Sequence, residues 1–161
     1  KKMLILALTL TTALSRAAYA DTLSVEMINS TPIIGIPAEG RAEPPELPDP
    51  ALIRLQVLLD RVGASPCVID GKYGANVSKA IAAFEAMSGL PVDGKLDDGV
   101  FGQLEGGSPV VGNYDISKDD TEGLVEAIPK DYADQASMEH PCFTSVAERL
   151  SERFHMDPTL P

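Results

Sequence analysis

Ile69-Asp70-Gly71-Lys72-Tyr73-Gly74 and, further along, Val92-Asp93-Gly94-Lys95-Leu96-Asp97 decide how this chain folds. Each holds a hydrophobic residue followed by Asp-Gly-Lys. Asp-Gly favours a tight turn, because Asp bonds the backbone two residues on and Gly takes a positive φ without a Cβ clash. Before the first turn, Leu52, Leu55, Leu59 and Val62 recur at helical spacing after Asp49-Pro50, with Leu58 beside them and Gly63 as a stop. That pattern predicts an amphipathic helix of about twelve residues. Between the turns, Val77, Ala80, Ile81, Phe84 and Met87 share one helical face, with Asn76 as the expected N-cap and Gly89 as the end. After the second turn a shorter helix runs from Asp97 through Val100, Phe101 and Leu104. Three short helices with apolar faces can bury them only against one another, so a small helical bundle is expected over 51–106.

The order of these pieces carries a resemblance. Leu55-Gln56, then Ile69-Asp70-Gly71-Lys72-Tyr73-Gly74, then Ala80-Ile81-Ala82-Ala83-Phe84-Glu85, then Gly89-Leu90-Pro91-Val92-Asp93-Gly94 and Leu96-Asp97 resemble the three-helix peptidoglycan-binding module. The family pattern reads LQ, DGxFG, AVxxFQ and GLPVTGxLD. This chain departs from it at Ala75 for Pro, Val77 for Thr, Glu85 for Gln and Asp93 for Thr. The resemblance implies noncovalent binding of peptidoglycan, through glycan or stem peptide, by residues outside the core. Asp70, Lys72, Tyr73 and Asn76 are the candidates, on the loop and at the helix start. Tyr73 can stack on a sugar, Asp70 and Asn76 can bond hydroxyls and amides, and Lys72 can meet a stem-peptide carboxylate. Leu55, Ile81, Phe84, Leu90 and Phe101 are expected to be packing residues, and Glu85 and Asp93 add charge that disfavours an acidic polymer.

The chain has 161 residues with 13 Lys and Arg against 24 Asp and Glu, a formal charge of -11. Phosphate-neutralising nucleic-acid binding is disfavoured by that sign. With 5% aromatics, no Trp, and 13 each of Gly and Pro, one core spanning the whole chain is not expected. Lys1 and Lys2, the apolar run Met3 to Leu14, and Ala17-Ala18-Tyr19-Ala20 form a secretory signal pattern at 1–20, with cleavage expected after Ala20. The run is too short for a bilayer span, so no stable membrane anchor is expected after cleavage, and the expected location is the periplasm. Residues 21–50 have no sustained period, and four prolines between Pro44 and Pro50 disfavour helix and sheet there. An extended N-terminal tether is expected. Asn29-Ser30-Thr31 and Asn76-Val77-Ser78 match the N-glycosylation acceptor pattern.

Beyond Gly106-Gly107-Ser108-Pro109 the segment 107–161 reads as partly ordered: a short strand over Tyr114 to Ser117, an acidic turn, and a helix from Thr144 to Met156 capped by Thr144 or Ser145. That helix has an apolar face with no obvious partner. Ser145 to Asp157 resembles the first helix of a LysM cell-wall motif. Tyr114 to Asp157 is similar to the segment ahead of the catalytic domain in some proteobacterial L,D-transpeptidases. Their HxG…SxGCxR nucleophile pattern does not occur here, and Cys142 lies in His140-Pro141-Cys142-Phe143. The fold class expected is therefore mainly α, a three-helix bundle with tether and partly ordered tail, without catalysis, cofactor or metal in this chain. The alternative is an amino-terminal piece of an L,D-transpeptidase whose active site lies beyond residue 161. A third reading is a module kept for protein contacts. Cys67 and Cys142 either pair, closing a long loop, or stand as two thiols.

Overall fold

A computed structural model describes residues 23–34, 36, 48–107, 109–138 and 143–160. Among these the chain is mainly helical, with seven helices and no strand. The signal pattern at 1–20, the prolines at 44–45, His140 and Cys142 lie outside the described residues, and the Cys67 to Cys142 pairing with them. Among the described residues no helix is long and apolar enough to cross a membrane.

Helix α2, Pro50–Arg61, is central. Asp49 caps it by accepting from the Ala51 amide, and Pro50 sits at the first turn, where its missing N–H costs nothing. Its nine residues from Ala51 to Leu59 are all buried, which a single apolar stripe does not predict. The cause is cover on more than one side. Helix α3, Ala75–Ser88, packs on α2 through the face that the spacing predicted: Val77, Ala80, Ile81 and Phe84 are buried. Helix α4, Asp98–Leu104, closes on α3 with Val100 and Leu104. Val62 and Met87, expected in the core, are exposed, because α2 ends at Arg61 and Met87 lies at the outer end of α3.

The other face of α2 is covered by α1, Val25–Ser30, a helix inside the stretch whose sequence showed no period. Ser24 caps it, Ile28 is buried, and Ile33 just beyond is fully so. Six residues are too short a window for a periodic signal. Asn29 at its end is fully engaged. Its Oδ1 accepts from the amides of Val110 (2.7 Å) and Val111 (3.1 Å), and its Nδ2 donates to the Val111 carbonyl (2.9 Å). Arg61 donates to the carbonyls of Pro109 and Val110, and Arg54, buried, donates to the Asn29 carbonyl. The chain therefore enters and leaves the bundle side by side.

The C-terminal segment has its own small cluster. Helix α5, Lys118–Thr121, packs on α7, Val146–Phe154, and α6, Tyr132–Ala136, lies between them in sequence. Tyr114 to Ser117 is not a strand. Instead, Asp120 gathers it, accepting from the Tyr114 hydroxyl (2.8 Å), the Ser117 hydroxyl (2.7 Å) and the Ser117 amide (2.8 Å). Arg153 of α7 reaches the same carboxylate at 2.9 Å, and the Tyr114 and Phe154 rings meet edge to face at 5.1 Å. Asp120 is thereby held down at about 2, first by the Ser117 hydroxyl, then by the Ser117 amide and Tyr114 hydroxyl. The same bond to Asp120 raises Tyr114 above the ordinary phenol range. Ser145 caps α7, as expected, and Glu148 returns bonds to the Thr144 amide and hydroxyl, which lower its carboxyl. Its apolar face thus finds Tyr114 as a partner.

Candidate functional site

The first turn is organised by one residue from the preceding helix. Gln56, 1% exposed, accepts from the amides of Asp70 (3.1 Å) and Gly71 (2.8 Å) on Oε1 and donates from Nε2 to Asp70 Oδ1 (2.9 Å) and the Lys72 carbonyl (3.3 Å). Asp70 Oδ1 also accepts from the Lys72 amide (2.9 Å). Gly71 has φ +68, and a Cβ there would lie 2.7 Å from Pro48 Cβ, so this turn requires glycine on two counts. In the sequence Gln56 stands out only in the Leu55-Gln56 motif; its role shows in the buried amide, whose donor and acceptor both face the loop.

The second turn repeats the device with a carboxylate. Glu85 Oε2 accepts from the amides of Asp93 (2.9 Å) and Gly94 (2.8 Å), Asp93 Oδ1 accepts from the Lys95 amide (2.9 Å), and Gly94 has φ +69. Glu85 is 1% exposed, and its Oε1 is buried with no hydrogen-bond partner among the described residues. Its charge is therefore not on the outer surface, as its sequence position suggested. It holds a turn.

Asp70, Lys72, Tyr73 and Asn76 all line one cleft of about 260 Å³, together with Gln56, Pro66, Val68 and the start of α3. Lys72 and Asn76 are exposed, while Asp70 and Tyr73 are half-buried. Asp70 spends Oδ1 on the turn. Tyr73 packs against the core, and its hydroxyl lies 3.1 Å from the Ser78 hydroxyl. Asn76 is not the N-cap. Gly74 is, without a side-chain bond, and α3 begins at Ala75, so the Asn76 side chain is left outside the helix cap. By contrast α4 is capped by Asp97, which accepts from the Val100 amide (3.0 Å). The cleft thus presents an ammonium, the amides of Gln56 and Asn76, a carboxylate and an aromatic ring beside Pro66, Val68 and Val77, a mixture suited to a ligand with hydroxyl, amide and carboxylate groups. Among the described residues no group of three or more His, Cys, Asp or Glu is placed to hold a metal.

No curated protein matches the chain. Residues 48–104, which run from the Pro48 that Gly71 touches to the last residue of α4, match the family model described as "Putative peptidoglycan binding domain". With the helical fold and the two matched turns in place, residues 48–104 are a peptidoglycan-binding domain of that family.

Proposed function

We propose that this is an exported, periplasmic protein that binds peptidoglycan noncovalently through the cleft at Asp70, Lys72, Tyr73 and Asn76, without catalysis of its own. The observation that carries the reading is the family match at 48–104, within which those four side chains share one cleft. The signal pattern at 1–20 supports export. Lys72 and Asn76 supply the adaptable polar contacts, and Tyr73, fixed by packing, supplies a rigid surface for a sugar ring or a side chain of the stem peptide.

Co-sedimentation with purified sacculi tests it. Lys72 and Asn76 are exposed, so the double change Lys72→Ala and Asn76→Ala should leave the helical signal intact and cut pelleting at least severalfold. Wild-type protein that stays in the supernatant at every salt concentration, or a double variant that pellets like wild type, refutes the site.

A further inference from the structure

The cleft loop is held from two sides. From beneath, Gln56 fixes the turn. From outside, the tail does so: the Ile69 amide donates to the His155 carbonyl (2.8 Å) and the Asp157 amide donates to the Ile69 carbonyl (2.9 Å), a parallel bridge between Ile69 and Met156. Ile69 is the residue immediately before Asp70. Three further contacts seat the tail beside that bridge. Met156 and Leu160 pack against the core, and His155 Nδ1 lies 3.1 Å from Asp60 Oδ2 on α2. The Asp157 carboxyl is held below its ordinary range mainly by the Thr159 hydroxyl and amide, and in smaller part by the Lys72 ammonium of the cleft. His155, with φ 55, turns the chain out of α7 and into this position. A loop of this length tied only by Gln56 would keep its turn but not the direction of the segment entering it.

We infer that His155–Leu160 is a strap that positions the 67–74 loop, so that ligand binding in the cleft depends on the docked C-terminal segment. This rests on the cell-wall reading of the cleft. Arg149, Arg153 and Phe154 of α7 hold Asp119, Asp120 and Tyr114, and the strap leaves this anchored end of the helix at His155.

Amide hydrogen exchange and sacculus pelleting, measured on the same protein, separate the two ideas. One variant lacks residues 155–161 and a second carries Met156→Ser, which removes packing and keeps the backbone bonds. Protection of the Ile69 amide should fall roughly tenfold on deletion and less in Met156→Ser, with Ile81 in α3 unchanged. Pelleting should fall in the same order. Should the deletion unfold the bundle, Ile81 reports it and Met156→Ser decides. Unchanged Ile69 exchange in a folded variant overturns the strap. Faster exchange with undiminished pelleting overturns the dependence of binding on it. Wild-type protein that does not pellet removes the cell-wall reading and with it that dependence, while the exchange rate still decides whether the tail holds the loop.

Discussion

Glu85→Gln should make the helical domain more stable. The two turns form an internal control: both are held by a side chain one helix back that accepts two successive amides, from Gln56 in the first and Glu85 in the second. Gln56 has an N–H left for Asp70 Oδ1 at 2.9 Å, whereas Glu85 has a buried oxygen left with no donor. A buried acceptor without a partner costs about 1–3 kcal/mol. Gln at this position keeps one oxygen for the amides of Asp93 and Gly94 and, by the equivalence of the turns, aims its N–H at Asp93. Against that, two bonds to a carboxylate become bonds to an amide, a loss of about 0.5 kcal/mol each. The net expectation is a gain of about 1 kcal/mol, or a rise in Tm of roughly 4–8 °C for a small domain. Denaturant unfolding followed by far-UV circular dichroism measures it. The reverse change, Gln56→Glu, places a carboxylate oxygen where Nε2 now meets Asp70 and should cost about 2–3 kcal/mol. Glu85→Gln protein that is no more stable than its parent refutes the argument that Oε1 is an uncompensated acceptor.

Two glycines with like backbones separate strain from crowding. Gly89→Ala, at φ +70 with open space around the new Cβ, should cost about 1 kcal/mol, while Gly71→Ala, at φ +68 and 2.7 Å from Pro48 Cβ, should cost clearly more; equal losses in thermal melts would refute the crowding. Asp97→Ala removes the cap of α4 and should cost about 1 kcal/mol, read as earlier unfolding in denaturant. Asp120, held at about 2, has a folded value below its unfolded one, so its stabilisation of the C-terminal cluster is present above the ordinary carboxylate range and lost as pH falls through about 2. The Tyr114 near-UV signal should therefore hold down to pH ~4 and collapse on approach to pH ~2, and Asp120→Asn should show a weakened signal already at neutral pH. A variant signal equal to wild type at neutral pH counts against that role.

The domain was legible because its signals are local. Leucine spacing in α2, the α3 face, Gly89 as a stop and the two Asp-Gly turns each follow from a few neighbouring residues, and the structure places them accordingly except for Val62 and Met87 at the helix ends. The four candidate residues were readable as a group because they are contiguous with one turn and one helix start. What was not legible depends on distance in sequence. The cover that α1 lays on α2, the bond from Ile69 to His155 and the role of Asn29 join residues that share no pattern. In the sequence Asn29 stands out only within a glycosylation pattern. Asn commonly caps, so the sequence points to Asn76, yet Gly74 allows the helix to start earlier without a side-chain cap. Tyr114 to Ser117 looked like a strand from β-favouring residues, and the carboxylate of Asp120 supplied a competing arrangement.

The grip of Asn29 on Val110 and Val111 has a mechanical meaning for the domain. Entry and exit of the domain are fastened to each other and to α2, so tension applied along the chain is shared between residue 29, residues 110–111 and that helix. Such a load crosses the hydrogen bonds of one asparagine and the contacts by which Arg61 of α2 holds the carbonyls of Pro109 and Val110.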